Sequence, residues 1–169
     1  MSDAPTTSDL TMDAIAVAVA LGHRGDADSA VRDLLSLWRQ IGVTGDPLHR
    51  CTLAHHLADL CDDPAESLVW DVRALDAADA LTDGRVRRHH DALRVAGFYP
   101  SLHLNLADDF RRLGAFRAAG DHLDRAEERM PALPDGPYGD TIRSAVREVR
   151  QAVAVRDTGP RASAPGPAR

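Results

Sequence analysis

Lysine is absent: all 20 basic residues of this 169-residue chain are arginine, the mark of GC-rich coding. Aromatic residues make up only 4%, and no stretch alternates apolar and polar residues with β-branched side chains. Together these exclude a sheet-rich fold. The only cysteines are Cys51 and Cys61, and no Cys-x-x-Cys occurs. That rules out a disulfide framework or a paired-cysteine zinc site and fits a reducing, cytoplasmic setting. The longest apolar run, Ala14 to Leu21, has eight residues, against the roughly 20 that a membrane helix needs. Positive charge is in deficit: the net charge is −6, which disfavours nucleic acid and anionic membranes as partners. Gly-x-Ser-x-Gly, His-Glu-x-x-His and phosphate-cradling glycine loops are all missing, so no known catalytic signature is present and the chain reads as a non-enzyme.

What remains is rich in alanine, leucine, aspartate and arginine, 44% hydrophobic and 27% charged. Most of these residues lose little entropy in a helix, so an all-α domain follows, and the length suits a single one. Residues 1–8 (Ser, Thr, Pro, Asp) lack basic residues and any secretory pattern, and are expected to form a disordered tail, with Ser8 or Asp9 capping the first helix. Residues 157–169, including TGPRASAPGPAR, are expected to form a second disordered tail. Between them, over 9–156, helices are expected at about Asp9–Arg24, Asp26–Ile41, Pro47–Leu60, Pro64–Leu81, Arg85–Ala96, Pro100–Leu113, Phe116–Met130 and Asp140–Arg156. Ala30, Leu34, Leu37, Trp38 and Ile41 form the apolar stripe of the second. Gly97-Phe98-Tyr99-Pro100 should separate two helices, since proline disfavours a helical residue before it.

The helices fall into pairs joined by tight turns. Over Pro100 to Pro131, small and large residues alternate at fixed intervals: His103, Leu106, Ala107 and Phe110, then Gly114 and Phe116, then Ala119, Leu123, Ala126 and Pro131. This pattern resembles the tetratricopeptide repeat, and Tyr99-Pro100 with Leu104-Asn105-Leu106-Ala107 is similar to the repeats of kinesin light chains. With its arginine-only basicity, the chain looks like an actinobacterial protein of that family. Thr11–Gly42 fits a first unit through Val17, Ala18, Leu21, Ala30, Leu34 and Leu37. Leu48–Leu81 is a degenerate second unit. Ala54, His55 and Ala58 take its first-helix positions, but the same register puts Asp71 where an apolar residue belongs; a slipped register through Ala65, Val69 and Val72 would avoid this. The resemblance implies a short right-handed α-solenoid of about three helix pairs, closed by the last helix as a cap.

A tetratricopeptide array binds a partner on its concave face, lined by the first helix of each pair. By that resemblance, His49, Thr52, His56, Asp59, Leu104, Asn105, Asp108, Arg111 and Arg112 form a groove for another protein or a peptide, alongside Met12, Ile15, Val19, His23 and Ser101. Asn105, Arg111 and Arg112 would hold the peptide or its carboxylate. The alternative for Arg111 and Arg112 is pairing with Asp108 and Asp109. The eight histidines include His55-His56 and His89-His90, and Cys51 lies one turn from His55. Without a zinc motif these read as structural, and neither metal nor cofactor is expected. The basic cluster Arg85, Arg87, Arg88, His89 and His90 is balanced by Asp76, Asp79, Asp83 and Asp91. Two other readings stay open: a bundle that self-associates, as a homodimer, through its last helix or through Trp38, Trp70, Phe98 and Tyr99, and a histidine-rich metal-dependent enzyme.

Overall fold

The computed structural model of the chain describes residues 9–83 and 89–164. Within them lie seven α-helices and no strand: α1 Leu10–His23, α2 Ala27–Ile41, α3 Pro47–Asp59, α4 Pro64–Asp83, α5 His89–Arg112, α6 Phe116–Arg129 and α7 Pro137–Ala154. A single 3-10 turn, Met130–Ala132, follows α6. No helix among the described residues is long and apolar enough to cross a membrane. Aspartates set several starts. Asp9 accepts from Met12 N at 3.0 Å, Asp26 from Ser29 N at 3.2 Å and Asp46 from Leu48 N at 2.8 Å. Each satisfies an N–H that the first helical turn leaves unpaired and adds negative charge where the helix dipole is positive.

The helices pair in sequence, α1 on α2, α3 on α4 and α5 on α6; α1 also touches α3, α3 touches α5, and α7 packs on both α5 and α6. Small residues let the helices approach. Ala18, Ala30, Ala54, Ala74, Ala77, Ala78, Ala107, Ala119 and Ala126 are all buried, with Leu34, Leu53, Leu57, Leu106 and Leu123 filling the space beside them. One cluster joins α1, α2 and α3 through Ile15, Leu34, Leu53 and Leu57. A second joins α3, α4 and α5 through Cys51, Ala54, Ala74 and Leu102. A third joins α5, α6 and α7 through Leu104, Leu123, Val146 and Val149. The helices expected at Pro100–Leu113 and Phe116–Met130 therefore lie packed together.

Three expectations give way. The first is the break at Gly97–Pro100: α5 runs straight through Pro100. An interior proline removes one backbone hydrogen bond and costs about 3 kcal/mol. Here Tyr99 and Leu102 flank it, both fully or nearly buried in the α3–α4–α5 core, and the Tyr99 hydroxyl donates to Asp79 at 2.7 Å. Burying two such side chains returns about 1.5–3 kcal/mol each. The second is the slipped register of the second pair. Val69 and Val72 are 50% and 51% exposed while Asp71 is 0% exposed, so the aspartate does occupy the buried position. The third is the tail: residues 157–164 fold back onto α5 and α7 through hydrogen bonds to Arg111 and Glu148. The expected tail 1–8 and the basic residues Arg85, Arg87 and Arg88 lie outside the described residues, as do 165–169.

The aromatic residues considered for self-association are turned inward or onto one another. Tyr99 is buried and Phe98 packs on the core. Trp38 and Trp70 meet edge to face at 5.2 Å, with the Arg73 guanidinium 4.5 Å above Trp70.

Candidate functional site: the α1–α3–α5 face

Ala16 and Ala20 on α1 lie opposite Thr52 and His56 on α3, and the small side chains leave an apolar groove of about 230 Å³ between the helices. Met12, Ile15, Val19 and His23 complete its walls. Burial holds the His56 imidazole down at about 4, reinforced by the neighbouring charges of His55 and His23 and opposed by Asp59. His56 is therefore neutral at physiological pH and brings no charge to the groove. His49, at the start of α3, lies 2.7 Å from Asp9 Oδ2. That contact, with the N-cap bond from Met12, holds the Asp9 carboxyl below its usual range and ties the first turn of α1 to α3.

Beside the groove, where α3, α4 and α5 meet, is a polar crevice of about 40 Å³. Its walls include Asp59, Ser67, Asp71, Asn105, Asp108, Asp109, Arg112 and Arg161. Asn105, the chain's single asparagine, points its Nδ2 at Asp59 (3.1 Å), His55 Nδ1 (3.4 Å) and Asp71 (3.5 Å). Burial would discharge His55, but Asp59 and Asp71 (3.8 Å away) outweigh it and lift the imidazole to about 9. A protonated His55 directs its Nδ1 proton at Asp71, leaving the Asn105 amide for the carboxylates.

Asp71 and Asp109 form a buried acid pair. Neither Asp71 Oδ2 nor Asp109 Oδ2 meets an amide, hydroxyl or guanidinium donor. Burial raises both carboxyls, and the hydrogen bond between them raises Asp109 while lowering Asp71. Asp109 thus keeps its proton, with its carboxyl pushed up to about 9 by burial and by the Asp71 charge, and Asp71 is the carboxylate that faces His55. Two carboxylates in contact in a low-dielectric seam cannot both ionise, so the pair shares one proton. Ser67, from α4, sits between Asp109 and the Ala58 carbonyl, 3.3 Å from the latter.

The residues expected in one groove divide into four groups. Thr52 and His56 line the apolar groove; Asp59, Asn105, Asp108 and Arg112 line the crevice. His49 stands apart at the α1–α3 corner. Leu104 and Arg111 are not groove residues. Leu104 is 3% exposed within the α5–α6–α7 core, because the helix turns that face toward α7. Arg111 is 0% exposed and gives Nε and Nη2 to Asp108 Oδ1 at 2.9 and 2.7 Å. Its remaining donors go to the carbonyls of Asp157 and Gly159. The pairing alternative holds for Arg111 with Asp108. Arg112 instead donates to the Asp62 carbonyl at 2.8 Å. A carboxylate clamp from these two arginines is therefore not free to form. Of the other groove expectations, Ile15 and Ser101 are buried, and Met12, Val19 and His23 line the apolar groove.

Sequence reading missed the Asp71–Asp109 pair and Arg161 as site residues. The signal for the first was the aspartate at an apolar repeat position. Among the described residues no group of three or more His, Cys, Asp or Glu side chains is arranged to hold a metal ion. Both thiols are free; burial pushes Cys51 up to about 12 and Cys61 to about 11, so neither is nucleophilic at neutral pH. No family model, curated protein or solved structure matches this chain.

Proposed function

We propose that the chain is a non-catalytic binding scaffold of the tetratricopeptide-repeat kind: a short right-handed α-solenoid of three helix pairs capped by α7. It takes a segment of another protein, or a peptide, across the α1–α3–α5 face. The observation that carries this reading is the groove between α1 and α3, about 230 Å³ and walled by Met12, Ile15, Val19 and Thr52. It has room for a leucine- or phenylalanine-sized anchor and is bordered by neutral His56. The adjacent crevice, with Asp59, Asn105 and Arg112 at its mouth, offers polar contacts to the chain that follows the anchor. An apolar pocket plus a few fixed polar groups is how preformed sites combine affinity with orientation.

The buried acids argue against catalysis in this reading. A crevice of about 40 Å³ is of the order of one water molecule, too small to bring a substrate to Asp71 or Asp109. Their interaction with His55 and Asn105 instead locks the second helix pair to the third. The free thiols suit a reducing cytoplasm.

Panning a random peptide library on the folded chain tests the reading. Peptides with an apolar anchor should be enriched. Filling the groove with Ala16→Phe, at an exposed position on α1, should weaken them at least tenfold while leaving helical content unchanged. Absence of enrichment, or equal binding to the filled variant, would reject the groove as the binding surface.

A further inference from the structure

Arg156 stands where two other turns of the same geometry have glycine. Gly25 (φ 90°) and Gly114 (φ 79°) each follow a helix in the left-handed region. In both turns the next N–H reaches back to a helical carbonyl, Asp26 to Leu21 at 3.0 Å and Ala115 to Phe110 at 2.7 Å. The end of α7 repeats this with Arg156 (φ 56°) and an Asp157 to Ala152 bond at 2.9 Å. A side chain is disfavoured in that region. Here the guanidinium stacks over Phe116 at 4.6 Å, and the turn aims the chain back across α5.

The returning segment meets a built receptor. Arg111, fully buried, donates to the Asp157 carbonyl and, at 2.8 Å, to the Gly159 carbonyl. Two residues on, Arg161 Nε lies 3.0 Å from Asp108 Oδ2, and its Nη1 lies 3.5 Å from Glu148. The Arg161 side chain is 5% exposed. Ser163 also bonds Glu148. Gly159 suits a small residue: a Cβ there would lie 3.1 Å from the Asp157 carboxylate that binds its own N–H. Apart from the Arg161 side chain, the residues from 157 to 164 are exposed or half-buried. The segment is held by two main-chain carbonyls, the Arg161 guanidinium and the Ser163 hydroxyl, with no apolar anchoring, and contacts of that kind open readily.

We propose that Arg111, Asp108 and Glu148 form a peptide-binding cradle that the chain's own tail occupies in cis. Its partner ligand is a segment of another protein carrying a small residue followed two positions later by arginine. The small residue and the residue two before it present carbonyls to Arg111; the arginine enters between Asp108 and Glu148, whose charge it complements. Side chains equivalent to Thr158 and Pro160 make no hydrogen bond and are free to vary. The cradle lies on α5 and α7; Asp108 and the bound Arg161 also line the polar crevice, but no cradle residue lines the α1–α3 groove, so binding in the groove and in the cradle can be tested separately. The tethered tail competes at a high effective concentration, which sets the threshold for an outside ligand.

The test uses the full chain and a fluorescent peptide of residues 156–164. In the Arg161→Glu chain the tail's guanidinium is replaced by a charge that Asp108 and Glu148 repel, so the cradle is vacated. The peptide should bind this variant at least about tenfold more tightly than the wild type. The same peptide with glutamate in place of its arginine should bind neither. Equal binding to both chains, or no saturable binding to an Arg161→Glu chain of native helical content, overturns the proposal. If the charge reversal unfolds the chain, Arg161→Gln replaces it under the same criteria. On the wild type, excess peptide should speed amide exchange of residues 157–164, and unchanged exchange at saturating peptide would equally overturn it.

Discussion

Asp71 of α4 and Asp109 of α5 share one proton across the buried seam between the second and third helix pairs, and Asp109 holds it. Asp71 stands where the other two pairs place Leu34 and Leu123, both 0% exposed. The seam thus exchanges a leucine contact for a polar network with His55, Asn105 and Ser67.

The two acids predict different responses to amidation. Asp109→Asn keeps a neutral donor opposite Asp71 and spares the folded state the proton that Asp109 must take up at pH 7, so it should raise stability there. Asp71→Asn removes the counter-charge of His55 and should cost about 1–3 kcal/mol. Urea denaturation of the two variants checks this, and equal losses would refute the assignment of the proton to Asp109.

Stability should peak near pH 6.5. Asp109 and His55 both have folded values raised to about 9. Their contributions are complete below the unfolded values, about 3.9 and 6.5, and fade as pH rises through 9. His56 and His103 have values lowered to about 4. Their contributions are complete above about 6.5 and fade as pH falls toward 4. Asp109 and Asp71, both raised, oppose that acid-side loss, but His56, His103 and His122, all lowered, outweigh the two carboxyls in this window. Above pH 6.5, Asp109 and His55 act together, so the alkaline side falls with the slope of two protons. Thermal melts from pH 4 to 10 read this directly, and Asp109→Asn should shallow the alkaline limb. A flat profile between pH 6.5 and 9 would contradict the raised values.

The register of α4 makes a third prediction. Val69→Ser and Val72→Ser, at half-exposed positions, should each cost no more than about 0.5 kcal/mol. Ala74→Val, at a 0% exposed helix contact, should cost about 1–3 kcal/mol by overpacking. The reverse order would restore the slipped register.

Arg111→Met should lose about 3–5 kcal/mol, because Asp108 is left nearly buried without its paired cation. Denaturant midpoints measure it. A loss below about 1 kcal/mol would mean that Arg161 alone neutralises Asp108.

Much of the helical layout was legible because it rests on local chemistry. Asp26 and Pro47 mark starts, Gly25 and Gly114 mark stops, and Ala119, Leu123 and Ala126 announce the contact face of α6. The failures came where distant contacts override local preference. Pro100 reads as a boundary, yet α5 continues because Tyr99 and Leu102 are drawn into the core on either side. Asp71 reads as misplaced because its partners, His55, Asn105 and Asp109, lie on other helices. Arg111 looks like a surface clamp because Asp157 and Gly159, far along the chain, are what cover it. The expected groove residues scattered for the same reason: helical spacing gives a face, but not which part of that face its neighbours leave open.

The most direct test of the scaffold reading is an amide and methyl NMR titration of the ¹⁵N,¹³C-labelled chain with a peptide selected by panning. The account predicts saturable shifts confined to Met12, Ile15, Val19, Thr52 and His56, extending to Asn105 along the crevice. Shifts centred on Val69 and Val72 of α4 instead, or no shifts at saturating peptide, would contradict it.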